Sequence, residues 1–563
     1  MILRGSIPRA FATCIALVLV LTPMSIASAA KKPIITSNEN SSTLTVSLPG
    51  PLNGCGYLDA GSNATSRAVL DLIQPSAFLT STANISVGAG GPISSAELTS
   101  LSPETVVYTI AQGYTWSNGE VFNGYDLVTW WSYAKKLPSI TSDGYRDIKS
   151  LEVDAAGKTV TAVFSSPYAA WTTLFRDIVP AGFNTGCSLN SLLTRPTLGP
   201  YSVSSVSPTR IVLVMNKKWK LNPNRFGRVI ITTSTDLPNS STANYASYSI
   251  QVTKAASMAL SAHRELVGHI GTSDQLAELV FAPRTAITTN ISVREALSIA
   301  IQRQPILNSL WGSVTFSPAP ATSMLLTQGQ NGYPGGAGPG PTKSSTTTSQ
   351  VNTTTSLVPT SMGNTVGDCL ECAQNMLTGS TGFKLINGQL RNSLGNQVTV
   401  RLLVGPTNLE KTTARLISDQ WKKLGIAVYQ SFATSELSVA SQVSLNRYDV
   451  GILMKTSTNT PSTLARSFYG PAFMDSYPSG VRTALLNKLF TTAISNFNPV
   501  SALKIWSTFD QTVLGQFWVR PLFTLPTFTS WSNRLSNVTG SLSVQGFVDQ
   551  IPIWGTETAA PAN

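Results

Sequence analysis

From Gln397 to Lys455 the chain repeats a strand–helix–strand pattern that few folds accept. QVTVRLLVG (397–405) is a β-branched apolar run. NLEKTTARLISDQWKKL (408–424) follows, placing Leu409, Leu416, Ile417, Trp421 and Leu424 on one broad helical face. IAVYQSFA (426–433) and YDVGILMK (448–455) are two further apolar runs. Thr407 or Asn408 suits the helix N-cap, and Gly425 supplies a left-handed stop. Strands joined through a helix predict parallel pairing in a mixed α/β lobe.

Other elements are shorter. STLTVSLP (42–49), TVVYTI (105–110) and KTVTAVF (158–164) read as strands, and RIVLVMN (210–216) with RVIITTST (228–235) as a strand pair around the turn-rich LNPNRFG. A helical pattern with Trp130, Trp131 and Tyr133 runs from Gly124 to Leu137. A second helix is expected from Ser292, with Ser292 as N-cap and Glu295 closing a capping box. Its Val293, Ala296, Leu297, Ala300 and Ile301 form one apolar stripe, and Pro305 ends or kinks it. Residues 328–361 are rich in Gly, Pro, Ser and Thr, which bury too little apolar area to offset chain entropy; a surface loop is expected there.

The N-terminus has the pattern of a secretory signal. Arg4 and Arg9 precede an apolar stretch, Phe11 to Leu21, that is too short to cross a bilayer. SIASAA then offers an A-x-A site, with cleavage expected after Ala29 or Ala30; an uncleaved anchor is the competing reading. Cys14 lies inside the apolar run, so a lipid-anchored cysteine is not supported. No later segment is long and apolar enough to span a membrane. Charged residues make up 12% of the chain, so hydroxyls and amides are left to hydrate an exported surface. The net charge of +12 is spread along the chain with nothing longer than pairs such as Lys217-Lys218, which argues against nucleic acid as a partner. Cys55, Cys187, Cys369 and Cys372 remain beyond the signal, and structural disulfides are expected, Cys55 with Cys187 and Cys369 with Cys372 being one of three connectivities.

Catalytic constellations are weak. His263 and His269 are six apart and do not share a helix face, so a zinc pair is not expected. His263-x-Glu265 with Cys369-x-x-Cys372 resembles the zinc deaminase pattern, but Asp368 replaces its proline and more than one hundred residues intervene. Neither a G-x-S-x-G elbow nor a phosphate-binding P-loop occurs, and GGAGPGP neither follows a strand nor opens a helix. No enzyme activity, metal or cofactor is expected.

TWSNGEVFNGYDLVTWWSYAKKL (115–137) resembles a motif of the family 5 extracellular solute-binding proteins, the oligopeptide- and dipeptide-binding group, through Trp116, Ser117, Asn118, Gly119, Phe122 and Asp126. TLGPY (197–201) is similar to the family's Gly-x-Gly-Pro-Tyr turn, with Leu198 in place of one small residue. MNKKWKLNP (215–223), ISVREALSIAIQRQPILNSLWG (291–312), and LGIAV with NRYDVGILM follow in the family's order.

The resemblance implies a two-lobed periplasmic-binding-protein-like α/β fold of type II, with the extra subdomain of the peptide-binding group and a ligand cleft between lobes. Its divisions would be 1–30 signal peptide; 31–75, 186–285 and 515–563 lobe I; 76–185 a subdomain inserted in lobe I; and 286–514 lobe II. It implies capture of a peptide or peptide-like solute by lobe closure, as a monomer, for an ABC permease and ATPase complex. A sensor or chaperone-like binder on the same fold, or a binder of a sugar or other solute, is the alternative.

By the same resemblance Met454, Lys455, Thr456 and Ser457 lie in the cleft. Peptide-binding members often carry an Asp here that pairs with the peptide's α-ammonium. This chain reads LMKTSTNTP, with Ser457 or Thr458 at that position. A hydroxyl accepts a hydrogen bond but cannot neutralise an ammonium. An N-blocked peptide, an amide or a sugar therefore competes with an ordinary peptide, and Lys455 offers a partner for a carboxylate.

Overall fold

The computed structural model describes residues 43–556 except 57, 59–61, 84, 138–143, 184–187, 222–225, 234–243, 251, 253–264, 284, 313–318, 335–367, 446, 458–460, 463 and 466–482. The signal, His263, Cys187, Thr458 and most of the Gly/Pro/Ser/Thr-rich stretch lie outside the described residues.

The chain begins with β1 (Thr43–Ser47), α1 (Ala64–Asp71), β2 (Phe78–Thr80), β3 (Ser86–Gly88), β4 (Ile93–Leu101), β5 (Glu104–Ile110), α2 (Gly124–Ala134), β6 (Ile148–Val153) and β7 (Thr159–Phe164). It continues through β8 (Tyr201–Ser207), β9 (Arg210–Met215), β10 (Arg228–Thr232), β11 (Asn244–Ser249) and β12 (Leu266–Phe281). Then come α3 (Ile291–Ile299), α4 (Arg303–Trp311), α5 (Leu370–Ser380), β13 (Lys384–Ile386), β14 (Gln389–Arg391), β15 (Thr399–Val404), α6 (Asn408–Lys423) and β16 (Ala427–Phe432). The last are α7 (Glu436–Ser444), β17 (Val450–Thr456), α8 (Ala484–Ile494), α9 (Pro499–Leu514), β18 (Val519–Ser532) and α10 (Val544–Val548).

One ten-stranded sheet carries the order β16-β15-β17-β12-β18-β11-β1-β10-β9-β8. β15 pairs parallel with both β16 and β17, as the strand–helix–strand pattern predicts. The central pair, β12 and β18, is long and antiparallel: its one end meets β17, its other end β11. A separate antiparallel sheet, β4-β5-β7-β6, lies against α2, where a Cβ on Gly124 would come 2.7 Å from Val153 and Val160.

Burial explains the apolar runs. Val450 and Ile452 of β17 enter a core with Val400, Leu402, Ile417 and Trp421. Leu453, one residue on, enters a different core with Phe490, Phe509 and Val513. Alternate residues thus bury on both faces, which is why this parallel segment reads as continuously apolar. A third core gathers Leu44, Val46, Leu70, Ile211 and Phe547 around the far end of the sheet.

Helix boundaries test the local reading. Thr407 caps α6 and forms a capping box with Glu410, and Gly425 is left-handed at φ +79°. At α3 the expected cap is corrected. Asn290, not Ser292, is the N-cap: its side chain accepts from Ser292 N at 2.9 Å, so Glu295 falls past the third helical position. The stripe Val293, Ala296, Leu297, Ala300 and Ile301 is buried as expected. Pro305 neither ends nor kinks α3; it occupies the first turn of α4, where a missing N–H breaks no helical bond. Arg294, buried within the α3 motif, stacks 3.6 Å over Trp518 and donates to Thr288 O and Gln516 O, joining α3 to the start of β18.

A Cβ at Gly425 would lie 2.6 Å from Leu390 N and 2.8 Å from Gly388 O. Gly425→Ala is therefore expected to cost about 2 kcal/mol or more. Gly379→Ala, inside α5 with open space around it, should instead gain up to ~1 kcal/mol. Urea unfolding midpoints of the two variants should move in opposite directions.

Candidate functional site

The β12–β18 ladder breaks at its middle. Thr272 pairs with Pro526 and Leu276 with Thr524, so Ser273, Asp274 and Gln275 face Leu525 alone. Pro526 has no N–H to give to a ladder, which suits it to this position. The backbone groups freed by the bulge must be satisfied elsewhere. Asp274 N donates to Leu542 O at 2.8 Å, Gln275 N to Ser273 Oγ at 3.1 Å, and Ser273 Oγ to Leu525 O at 2.8 Å. Asp274 O accepts from Ser457 N at 2.7 Å, which brings the end of β17 onto the break.

Residues 319–334 close over this point. Thr272 Oγ1 donates to Gln328 O at 2.6 Å. Ser457 Oγ lies 2.8 Å from Leu325 O and 2.7 Å from Gln330 Oε1, and Thr327 N donates to the same Gln330 oxygen at 2.7 Å. The loop is held from below by Asp510 of α9, which accepts from Met324 N at 3.0 Å. Gln330 is only 6% exposed, so the Gly/Pro/Ser/Thr-rich stretch begins with packed residues rather than a free surface loop.

Two acids are sealed here. Burial pushes Asp274 up to about 7, opposed by the hydrogen bond from Gln275 Nε2 at 3.2 Å. Burial likewise pushes Asp510 up to about 7, against the hydrogen bonds from Ser323 and Met324. Gln275 Nε2 also donates to Thr456 Oγ1 at 2.9 Å. Tyr248 donates its hydroxyl to Leu542 O at 2.9 Å, and its ionisation is pushed well up by burial and by nearby Asp274.

The four residues singled out from sequence divide by strand alternation. Met454 is half-buried against the β15–β17 core, and Thr456, on the same face, is exposed. Lys455 is half-buried and follows Leu453 on the opposite face. Ser457, just past the strand, is 1% exposed, with its single hydroxyl hydrogen committed within the Leu325–Gln330 loop. The sequence reading missed Asp274, Gln275 and Gln330. A signal was present: Ser-Asp-Gln interrupts the apolar β12 segment, and Pro526 sits within an otherwise strand-like run.

The motifs themselves are architectural. Trp116 Nε1 donates to Asp126 Oδ1 at 3.2 Å, while Asp126 completes the Asn123 capping box of α2. Ser117 exchanges hydrogen bonds with Thr197, Ser117 N to Thr197 O and Thr197 N to Ser117 Oγ, both at 3.0 Å. Asn216 Nδ2 reaches Gly199 O at 2.8 Å. Gly199 is needed because a Cβ there would sit 2.7 Å from the Ile73 carbonyl carbon. Three sequence-distant motifs thus form one knot beneath α1.

The cysteines expected to bridge are disulfide-bonded where described: Cys369 joins Cys372, and Cys55 is also bonded. The CLEC segment opens helix α5. Among the described residues no group of three or more His, Cys, Asp or Glu is placed to hold a metal ion, and no helix is long and apolar enough to cross a membrane.

Asp510 holds its proton up to about 7 when folded, against 3.8 for an ordinary aspartate. The folded state therefore binds a proton that the unfolded chain releases, and stability falls as pH rises from about 4 toward 7. Asp510→Asn keeps an acceptor for Met324 N and removes this dependence. The variant should be about 1–3 kcal/mol more stable than the parent at pH 8, and the gain should vanish near pH 4, read by urea unfolding at both pH values.

A family model described as bacterial extracellular solute-binding proteins, family 5 Middle, matches residues 95–474. The oligopeptide-binding protein OppA of Mycobacterium bovis is 26% identical over 308 residues, covering 49% of this chain and 50% of that protein. The chain thus spans about half the length of the curated relatives it matches. Among solved structures, a periplasmic EDTA-binding protein, EppA, superposes with a TM-score of 0.76 at 21% identity, over 92% of this chain and 97% of that one. The oligopeptide-binding protein AppA of Bacillus subtilis, in complex with a nonapeptide, gives a TM-score of 0.70 at 14% identity, over 92% and 99%. Both likenesses cover the whole two-lobed α/β architecture.

Proposed function

Because this chain belongs to the family 5 bacterial extracellular solute-binding proteins, we propose that it captures a peptide or peptide-like solute for an ABC importer by closing two lobes about the β12–β18 crossing. The observation that carries this reading is the crossing itself. Two continuous strands link the halves of the sheet, and their ladder is broken at one level by polar residues that also touch the end of β17. Such a break allows one half to turn on the other while each ladder stays intact.

In this reading 31–75, 186–285 and 515–563 belong to one lobe, 76–185 to its inserted subdomain and 286–514 to the other, except that 276–285 and 515–524, beyond the break, pack and turn with 286–514. Ala169 N donates to Ile494 O at 2.8 Å, a contact from the subdomain to the second lobe. We read this contact as belonging to a closed arrangement, which bound solute would favour through contacts available only when the lobes meet. Export by way of residues 1–30 and delivery to a permease and ATPase complete the proposal.

The solute's charge follows from the polar groups at the break. Ser457 lends its hydroxyl to the covering loop, and burial raises Asp274 to about 7, which opposes its ionisation at neutral pH. Neither supplies a full counter-charge to a peptide α-ammonium. A solute without a free amino terminus is therefore favoured.

Calorimetry on residues 31–563 with matched tetrapeptides, one free and one N-acetylated, tests this. The acetylated peptide should bind at least as tightly as the free one. A tenfold preference for the free amine would overturn the charge argument, and failure of a broad casein digest to raise the melting temperature would count against peptides altogether.

A further inference from the structure

Cys369 and Cys372 enclose a ring short enough that, as a staple, it gains less than a long-range bond would. They are three apart in sequence, and a disulfide restrains the unfolded chain less as the loop it closes shortens. Both ends also lie within one helix start, so the bond ties no separate elements together. Its surroundings are those of a reactive pair.

Cys369 is the N-cap of α5, an 11-residue helix, and its Sγ accepts from Cys372 N at 3.1 Å. A thiolate at this atom would be held by a main-chain N–H at the positive end of the helix. Asp368, the preceding residue, is bound by two guanidinium groups, Arg303 Nε at 3.1 Å and Arg520 Nη2 at 2.7 Å. Arg303 and Arg520 offset the charges of Asp368 and of Glu371 in the first turn of α5, so the field at Cys369 Sγ comes from the main-chain N–H groups of the helix start. Cys369 is half-buried, whereas Cys372 is exposed. Cys55, by contrast, is disulfide-bonded and fully buried.

We propose that Cys369–Cys372 is a thiol–disulfide exchange site that takes electrons from low-molecular-weight thiols in the surrounding medium. The incoming thiolate attacks Cys372 Sγ, forming a mixed disulfide and breaking the bond between the two cysteines. The electron pair leaves on Cys369 Sγ, which the Cys372 N–H and the helix start stabilise; a better-stabilised leaving thiolate departs faster. A second thiolate then attacks the small-molecule sulfur of the mixed disulfide. Cys372 leaves as a thiolate and takes a proton from water. Two thiols have become one external disulfide, and the pair has gained two electrons.

The test uses residues 31–563, folded and oxidised, exposed to reduced glutathione, quenched in acid at intervals, alkylated and mapped by peptide mass spectrometry. The Cys369–Cys372 pair should open at least tenfold faster than the bond at Cys55, with glutathione adducts found on Cys372. The melting temperature of the selectively reduced protein should stay close to that of the oxidised form. Opening no faster than at Cys55 would overturn the proposal. Adducts on Cys369 would overturn the assigned direction of attack, and a collapse of the melting temperature would return the bond to a structural role.

Discussion

The pairing of β12 with β18 is the constraint on which the remaining structure depends. Both strands belong to both halves of the sheet, so every backbone group that leaves the ladder at the bulge needs another partner within reach. Ser273, Leu542, Ser457 and Leu525 supply those partners. In doing so they fix where β17 ends, where the C-terminal segment crosses, and where residues 319–334 settle. A buried unpaired amide or carbonyl would cost on the order of 1–3 kcal/mol. The polar residues at the crossing are thus required by the backbone before any solute is considered.

Burial at this crossing also sets its electrostatics. Asp274 and Asp510 sit where water cannot fully solvate a carboxylate, and both are pushed up to about 7. Asp510 keeps the covering loop in place through Met324 N. A similar economy governs Arg294, which is buried yet satisfied by carbonyls and the face of Trp518. Buried charges at Arg294 and Asp510 fasten segments from distant parts of the chain.

Much of the fold was legible because it rests on local chemistry. The Thr407 capping box, the left-handed Gly425 and the two-sided apolar pattern of β15 and β17 each follow from neighbours in sequence. The Asn290 cap was harder to see, since Asn-Ile-Ser-Val-Arg-Glu offers two capping residues and only packing chooses between them. The site was less legible still. Ser457 meets Gln330 across 127 residues of chain, and Asp274 meets Leu542 across a longer stretch. No periodicity or spacing encodes such encounters. The motifs that announced the family, around Trp116, Gly199 and Asn216, proved to be a structural knot. They were diagnostic of the architecture through the hydrogen bonds they make with one another.

Closure of one lobe on the other is the central claim, and the Ala169 amide tests it, because its bond to Ile494 O joins the segment after β7 to α8. Hydrogen exchange at the 168–171 segment, followed by mass spectrometry with and without a casein peptide digest, reads that bond. Closure predicts slower exchange there when the digest is present, while the sheet strands β9 and β10 exchange unchanged. A raised melting temperature with no added protection at Ala169 would contradict it, since solute would then bind without bringing the lobes together.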